Sequence, residues 1–297
     1  CGIGIAFTRR GEKETLDYRY FSGTRRRTKN GVKITAREAL GVFCAVLFCP
    51  DHLALIKRTP GERREFLNAA IAQISPAYVA ALGRHKKLLE NKNALLRRED
   101  GFDRALMESY NEELAAVSAE ILVARRAYLA RLSASAARTV AEISGGRETV
   151  TTEYACDIPA EISRPEDVMM AYSDLFRTNL ARETAARMTL LGVQRDDILF
   201  YVNGREAKQF ASQGQQRSIA LALKLGEGEI LAAEIGEEPV YLLDDVLGEL
   251  DEERKSYILS RTGGRQLIVT ACEKNDYDAL VGVKKIRVCG GHYTEER

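Results

Sequence analysis

The feature that most constrains the fold is a short apolar run, residues 240–243, that follows Pro239 and ends in two carboxylates. An uninterrupted apolar run of this length predicts a strand buried on both faces, as in a parallel sheet. Ligands of α/β proteins bind at the carboxyl ends of such strands, where Asp244 and Asp245 stand. We assign Asp244 to a Mg²⁺ ion held through water and Asp245 to orienting a water molecule. The alternative is that both aspartates only cap the next helix.

A second motif, Ser212-Gln213-Gly214-Gln215-Gln216, stands directly before a helical pattern of apolar residues. Gly214 allows the backbone to approach a phosphate, and the free N–H groups at a helix start attract anions beside the Ser212 hydroxyl. For this segment alone, an ordinary serine cap with a glutamine-rich turn is the better interpretation. Both motifs in this order and at this separation are much less expected by chance, and together they indicate a triphosphate site.

A third motif consists of Leu247, Gly248, Glu249, Leu250 and Asp251. It resembles the D-loop that crosses the dimer interface in ATP-binding-cassette proteins. Further on, residues 266–271 predict another buried strand. Many members of that superfamily carry a switch histidine after this strand, whereas residues 270–273 of this chain contain none. This difference makes a transporter-type ATPase less expected.

The chain as a whole resembles the RecF family, in the SMC-like branch of that superfamily. The segments similar to its FxPEDL, PxxRRxFLD and YxxxL…LxQRNxLL motifs are residues 46–53, 60–68 and 78–96. Residues 192–197 match its GPHRDD motif only in part, because Val193 and Gln194 replace proline and histidine. The resemblance runs over most of residues 40–272 and rests on specific motifs.

This resemblance implies a function in DNA repair and replication, with ATP and Mg²⁺ as cofactors. It implies an ATP-dependent homodimer that binds single- and double-stranded DNA at gaps, cooperates with RecR and RecO, and helps to load RecA. The segment 212–216 of one copy would contact the ATP bound by the other copy. Slow, DNA-stimulated hydrolysis through Asp244 and Asp245 would then release the dimer.

The family also carries a P-loop of the form G-x-x-x-x-G-K-[ST] near its N-terminus, and the sequence contains no such run. The backbone N–H groups and the lysine of a P-loop hold the β- and γ-phosphates. We therefore interpret the chain as a fragment that lacks roughly the first strand, the P-loop and the first helix, and we expect it to be inactive alone. The alternative is a family member that has lost its P-loop.

The pattern of the sequence divides the chain into three parts. Residues 1–57 alternate and turn like β structure, with turns at Gly11 and Gly31. Residues 58–147 are helical, because apolar residues recur at steps of three and four from Leu106 to Val140. Residues 148–297 return to alternating strands and helices.

The expected fold class is therefore α/β: an ABC-type (P-loop NTPase) head with a mixed or parallel sheet, interrupted by an α-helical insertion subdomain. The N-terminal part and the C-terminal part form the head, and the C-terminal part carries all three motifs. SMC-like ATPases have a coiled-coil arm at the position of the helical part. This stretch is too short for a long rod, and we interpret it as a plain helical subdomain.

Composition agrees with a globular protein that is not strongly charged. The chain has 297 residues, of which 45% are hydrophobic and 29% charged, with a net charge of +1. No apolar run is long enough to cross a membrane. The six cysteines form no C-x-x-C pair and no zinc spacing, which suits a reducing cytoplasm. The three histidines, His52, His85 and His292, are isolated, and we assign none of them to a site.

Any contact with nucleic acid must come from local basic clusters, because the net charge is small. The main candidates, which read as a dense basic turn with few acids nearby, are Arg25, Arg26, Arg27 and Lys29. Further basic candidates are Arg63, Arg64, Arg84, Lys86, Lys87, Lys92, Arg97 and Arg98. For these helical positions a solvated face balanced by acids is an equal alternative. We see no strong aromatic interleaving, so we expect recognition of shape and backbone.

Two other classes of function remain open. The chain could be a non-catalytic module that docks on DNA or on RecR-like partners and lends its 212–216 segment to an intact copy. A transporter domain or an SMC chromosome protein is the more distant alternative. The missing switch histidine disfavours the transporter, and the short helical region disfavours the SMC rod.

Overall fold

The computed structural model of the chain describes residues 1–98, 101–272 and 282–296. Its first four strands, β1 (Gly2–Arg9), β2 (Glu12–Phe21), β3 (Thr24–Lys29) and β4 (Val32–Lys33), form an antiparallel sheet in chain order. Each connection is a two-residue turn with both residues at positive φ, such as Arg10 and Gly11 at 50° and 80°. Such turns match the twist of the strands that they join, and the expected turns at Gly11 and Gly31 are confirmed.

The next elements lead into the helical part of the chain. They are α1 (Ala36–Ala39), β5 (Ala45–Phe48), α2 (Pro50–Leu53), α3 (Pro60–Ala72), α4 (Pro76–Leu96) and α5 (Arg104–Ile143). Thr59, Ser75 and Asp103 cap the last three helices with their side chains. The predicted long helix is confirmed as α5, which has 40 residues. Its middle is buried on more than one side, as at Leu114, Ala115 and Val117, whereas Leu106 of the predicted apolar stripe is exposed.

The remaining elements alternate between strands and helices. They are β6 (Val150–Ala155), α6 (Pro165–Ala186), β7 (Asp197–Val202), β8 (Arg205–Glu206), α7 (Ala207–Phe210), α8 (Gln213–Ile235), β9 (Val240–Asp244), α9 (Glu252–Thr262), β10 (Leu267–Thr270), β11 (Lys285–Cys289) and β12 (His292–Glu296). A short 3₁₀ helix, Leu247–Glu249, lies between β9 and α9. Strands β6, β7 and β8 form a second antiparallel sheet, and β11 pairs with β12.

The strand predicted at residues 240–243 is the middle strand of a parallel sheet with the order β10-β9-β5. Phe48 lies opposite Leu243, and Thr270 lies opposite Asp244. Helix α8 covers one side of this sheet, where Leu221 and other apolar residues of the helix share a core with the strands. The prediction of an α/β fold with a parallel sheet is confirmed. Strand β5 joins this sheet from the N-terminal part of the chain, whereas β1–β4 form a sheet of their own.

Two of the basic residues that we considered for DNA contact lie in the interior instead. Arg63 is 2% exposed and binds Asp197 through two hydrogen bonds of 2.7 and 2.6 Å. Lys92 and Glu183 form an ion pair of 2.7 Å with both side chains fully buried. The prediction was wrong for Arg63 and Lys92, because the carboxylates that neutralise them stand far away in the sequence.

The described residues contain no helix with the length and apolar character that a membrane crossing requires.

Candidate functional site at the carboxyl edge of the parallel sheet

The twin carboxylates stand at the end of β9, where the chain turns sharply. Asp244 and Asp245 are both exposed, and Asp245 has a φ of 52°, a left-handed conformation that aspartate tolerates better than most residues. The Thr270 hydroxyl on β10 donates to Asp244 Oδ1 at 2.6 Å. The same hydroxyl accepts the Asp245 N–H at 3.1 Å. Thr270 therefore orients one carboxylate and holds the turn that carries the other.

The neighbouring strand β5 ends at the same edge of the sheet. His52 Nδ1 accepts the backbone N–H of Cys49 at 3.2 Å, which leaves the ring proton on Nε2. Burial, together with the positive charge of Lys224, lowers the pKa of His52 to about 4. This edge therefore contains a neutral histidine at physiological pH, near the exposed end of β9.

Helix α8 begins at the predicted serine. The Ser212 hydroxyl accepts the Gln215 N–H at 3.2 Å, and the Gln215 side chain accepts the Ser212 N–H at 2.9 Å. This reciprocal cap satisfies two backbone donors and leaves Gln213 exposed in the first turn. Gln215 also donates to Glu148 at 3.1 Å, which connects the start of α8 to the segment between α5 and β6.

Gln216 has a different role from the one that we assigned to it. It is 7% exposed, and its amide donates to the Ala211 carbonyl at 2.6 Å. Its side chain thus stabilises the entry into α8 from inside the protein. The exposed residues of the motif are Ser212 and Gln213, whereas Gly214 and Gln215 are half-buried.

The D-loop motif is divided between anchors and surface residues. Leu247 and Leu250 are buried in the core beneath the parallel sheet. Gly248 and Glu249 are exposed, and Asp251 caps α9 by accepting the Arg254 N–H at 3.0 Å. The two leucines hold the loop in place so that Gly248 and Glu249 point to solvent.

Arg254 joins the D-loop to the start of α8. Its Nε donates to Ser218 Oγ at 2.9 Å, and its guanidinium pairs with Asp251. A Cβ added at Gly214 would stand 3.4 Å from Arg254 Nη2, so the guanidinium packs against the face of α8 where Gly214 has no side chain. A second ion pair, between Arg217 and Glu249 at 2.9 Å, links the same two segments.

The donor set at this edge suits Mg²⁺ better than a metal held by protein ligands alone. Within residues 1–98, 101–272 and 282–296, no three His, Cys, Asp or Glu side chains form a group that could hold a metal ion. Mg²⁺ keeps several of its waters and needs only one or two carboxylates when phosphates supply the other ligands. One exposed carboxylate, fixed by a hydroxyl, fits that requirement.

Comparison with known proteins identifies the family. No protein-family model matches the chain. It is 37% identical over 264 residues to the DNA replication and repair protein RecF of Bacillus subtilis (strain 168), a match that covers 86% of this chain and 70% of that protein. The match to RecF of Geobacillus sp. (strain WCH70) is also 37%, over 267 residues. The chain belongs to the RecF family.

Two solved RecF structures share its fold. The structure described as the recombination mediator protein RecF-ATPrS in the RecFOR pathway superposes with a TM-score of 0.88 at 32% identity, covering 96% of this chain and 77% of that one. The corresponding RecF-ATP structure gives a TM-score of 0.87 at 32% identity and covers 76% of that chain. The ABC-type architecture predicted from the RecF resemblance is thereby confirmed.

The basic cluster predicted to contact DNA is a strand and not a turn. Arg25, Arg26, Arg27 and Lys29 all lie on β3, where successive side chains point to opposite faces of the sheet. Lys29 pairs with Glu14 at 2.9 Å, and Arg27 stacks over the ring of Tyr18 at 5.2 Å. The expectation that few acids lie nearby was wrong for Lys29, because the neighbouring strand supplies Glu14.

Sequence reasoning missed Thr270 and Arg254. Thr270 stands where other members of the superfamily have their switch region, and its position directly after an apolar strand was the available signal. Arg254 follows Asp251 by three residues, a spacing that predicts a side-chain pair on a helix. Nothing in the linear sequence shows that Arg254 also reaches Ser218. The stretch in which we expected no switch histidine, residues 270–273, ends at Glu273, which lies outside the described residues.

Proposed function

We propose that this RecF-family chain acts in DNA replication and repair as an ATP-dependent, dimerising DNA-binding protein at single-strand gaps. The observation that carries the proposal is that direct side-chain contacts connect the two motifs. The Ser212 end of α8 and the D-loop are joined by Arg254, and the D-loop directly follows the carboxylates at the end of β9. Sequence similarity to RecF proteins over 86% of the chain supports this function.

The roles of the residues follow from their exposure. The free backbone donors at the start of α8, with Ser212 and Gln213, would contact a triphosphate held by the partner copy. Asp244 would hold the waters of a Mg²⁺ ion and Asp245 would orient a water molecule. Thr270 keeps Asp244 in place through its hydroxyl. Gly248 and Glu249 would face the partner across the dimer interface. When bound, Mg–ATP would supply the negatively charged phosphates that residues of both copies contact.

The partners proposed for this chain come from its relatives. One solved relative is described as a RecF–ATP complex in the RecFOR pathway, which supports ATP, RecR and RecO as partners. Loading of RecA, location in the cytoplasm and binding of both single- and double-stranded DNA belong to the same proposal. Arg25 and Arg26 would contribute phosphate contacts, because no ion pair of the described residues includes either of them.

A second candidate function is a non-catalytic one. It is favoured by a specific observation: the sequence contains no G-x-x-x-x-G-K-[ST] run to hold the β- and γ-phosphates. In this case the chain would bind DNA or partner proteins and would lend its Ser212 segment to an intact copy that binds ATP.

Analytical ultracentrifugation with ATP or ADP separates the two candidates. The chain is measured alone and mixed with the RecF of the solved ATP complex. The first candidate predicts an ATP-dependent dimer of this chain. The second predicts no dimer alone but a mixed dimer with the ATP-bound relative. In both cases Ser212→Arg should prevent association, because bulk and positive charge at the start of α8 would block the approach of the second copy.

Ser212→Ala is the matched control, since it removes the helix cap without adding bulk or charge. Loss of the cap costs about 1 kcal/mol of stability, and because the backbone donors and Gln213 remain, this variant should weaken association without preventing it, unlike Ser212→Arg. An ATP-dependent dimer that is unchanged in Ser212→Arg would contradict the role of this segment. If ATP caused no association, either of the chain alone or of the chain mixed with its relative, the proposed function would be contradicted.

A further inference from the structure

The N-terminal sheet has one face that nothing in the described residues covers. On this outer face the alternation of the strands places Gly2, Gly4, Asp17, Arg19, Phe21, Arg26 and Thr28. The opposite face packs against the following segments of the chain, as shown by Phe7, whose ring lies 5.3 Å from that of Phe43, and by Arg27, which lines a cavity together with Leu40. On the outer face Arg19, Phe21 and Arg26 are exposed, whereas Asp17 and Thr28 are partly buried.

Two arginines stand directly opposite each other on the outer face. Arg19 on β2 is the register partner of Arg26 on β3. Like charges in this position destabilise an antiparallel pair. No ion pair among the described residues includes either arginine, in contrast to Lys29, which pairs with Glu14 on the other face. The one carboxylate nearby, Asp17, accepts the Thr28 hydroxyl at 3.5 Å. An anion between the two arginines would relieve this repulsion.

Two cavities lie on the same face, beside the glycines of β1, where the Asp17 carboxylate packs against Gly4. A cavity of about 590 Å³ is lined by Gly2, Gly4, Arg19 and Phe21, among others. A second cavity of about 240 Å³ shares Asp17 and Arg19 with the first and is also lined by Arg26. We call the two adjoining cavities the trough; both arginines and the Asp17 carboxylate line it.

An exposed aromatic ring stands at one end of this trough. Phe21 is 81% exposed, so its ring is accessible from the trough. It lies two residues from Arg19 on the same face, about 7 Å along the strand. The ring and the guanidinium groups can thus contact one ligand that has both anionic and flat apolar parts.

We propose that the outer face binds a single strand of nucleic acid, with Arg19 and Arg26 on backbone phosphates and Phe21 stacked on a base. Cationic grooves with aromatic rings hold single strands in this way, because every base has a stacking face. The proposal deepens the proposed function, since it names the strand and the residues that would read it. The sequence did not indicate Arg19 or Phe21 as binding residues. They lie on β2, and only the pairing of β2 with β3 brings them onto one face with Arg26.

Fluorescence anisotropy with labelled oligo-dT, in the absence of nucleotide, tests this proposal on the full chain. Phe21→Ala should weaken binding by at least about five-fold, the lower end expected for loss of one stacked base. Phe21→Tyr should retain the affinity of the wild type. Arg19→Ala and Arg26→Ala should each lower the slope of log affinity against log salt by about 0.7, as expected for one lost phosphate contact to a single strand.

Two variants serve as matched controls. Tyr293→Ala removes an aromatic ring that is 79% exposed on a different sheet, and Arg177→Ala removes an exposed arginine of α6. Both should bind oligo-dT like the wild type, and circular dichroism should show that all variants are folded. Equal losses in the control and test variants would overturn the proposal.

The remaining outcomes are also decisive. If Phe21→Ala binds oligo-dT like the wild type, stacking is excluded and the proposal fails. If oligo-glutamate of equal charge displaces oligo-dT at equal concentration, the face recognises acidic peptides instead. Binding of oligo-dT that persists when Phe21, Arg19 and Arg26 are all replaced would reject this site and leave the proposed function standing. ATP-dependent association remains the separate test of that function.

Discussion

The chain contains two Asp-Asp pairs, both in motifs that resemble those of the RecF family, and their surroundings are opposite. Asp196 is 2% exposed, while Asp244 and Asp245 stand at an open sheet edge. The first pair lies in a loop that matches its family motif only in part, and the second follows the predicted strand. Similar sequence signals thus mark an interior junction in one place and a candidate site in the other.

The interior pair is surrounded by arginines and hydroxyls. Arg63 binds Asp197 with two hydrogen bonds, and Arg125 lies 3.6 Å from Asp196. The Tyr154 hydroxyl donates to Asp196 at 2.6 Å. Arg125 itself is 3% exposed and donates to the Val193 carbonyl at 2.8 Å. This network joins α3, α5 and the second antiparallel sheet.

The exposed pair has no such partners. No ion pair within the three described ranges includes Asp244 or Asp245. Thr270 instead contacts both aspartates: its hydroxyl donates to the Asp244 carboxylate, and its hydroxyl and carbonyl oxygens accept the Asp245 N–H. Carboxylates that the protein itself leaves uncompensated are available for a metal ion or water. The Asp-Asp sequence is the same in both places. The neutralising side chains around it distinguish a structural pair of aspartates from one that is available for a ligand.

The largest effect should come from removing the arginine of the interior pair. Arg125→Met removes the buried cation paired with the Asp196 carboxylate and leaves only Arg64 nearby, so we expect a loss of about 3–5 kcal/mol in the free energy of unfolding. Urea denaturation followed by circular dichroism measures this loss. Arg177→Met, at an exposed pair on α6, should change it by less than about 0.5 kcal/mol. Equal effects in the two variants would contradict the structural role of Arg125.

The next largest effect is a pH dependence of stability that only the interior pair, through Asp196, should produce. Burial raises the pKa of Asp196 from 3.8 to about 6, and this outweighs the lowering by Tyr154 and Arg125. Because the folded protein then binds a proton that the unfolded chain releases, ionisation of Asp196 should reduce stability as pH rises from about 4 to about 6. Asp196→Asn lacks this decrease. Relative to the wild type, its stability should rise by up to about 3 kcal/mol over that interval.

Urea denaturation of both proteins at several pH values measures this difference. Above pH 6 the difference should become constant. A difference that does not change between pH 4 and 6 would show that Asp196 has the same pKa in the folded and unfolded states.

An intermediate effect is expected at Arg254, which supports the exposed region. Arg254→Met leaves the buried Ser218 hydroxyl without its partner, so we expect a loss of about 1–3 kcal/mol. Adding Ser218→Ala should recover part of this loss, because neither polar group then remains unpaired. Denaturation of the two variants gives the comparison. No recovery in the double variant would show that the bond from Arg254 to Ser218 is unimportant.

The smallest effect on stability should come from the exposed pair itself. Asp244→Asn keeps an acceptor for the Thr270 hydroxyl and should change the free energy of unfolding by less than about 0.5 kcal/mol. The same substitution at Asp196 removes a buried ionised group and serves as the direct counterpart. A large loss of stability in Asp244→Asn would place this pair with the structural one and would weaken the proposed site.

Local patterns were sufficient for the elements that build the site. Alternation and apolar runs predicted the strand at 240–243, and the serine cap predicted the start of α8. Steps of three and four residues predicted α5. Each of these signals lies within one element, because strand and helix periods are properties of neighbouring residues.

The tertiary structure decided which charged and polar groups became partners. It buried Arg63 against Asp197 and Lys92 against Glu183, separated Arg25 from Arg26 on opposite faces of a sheet, and joined Thr270 to Asp244. These pairs bridge long stretches of sequence, and the energy of a charge depends on its burial and on what stands next to it. The amino-acid order therefore predicted where the elements lie, and only their packing showed which acids are neutralised and which stay open to a ligand.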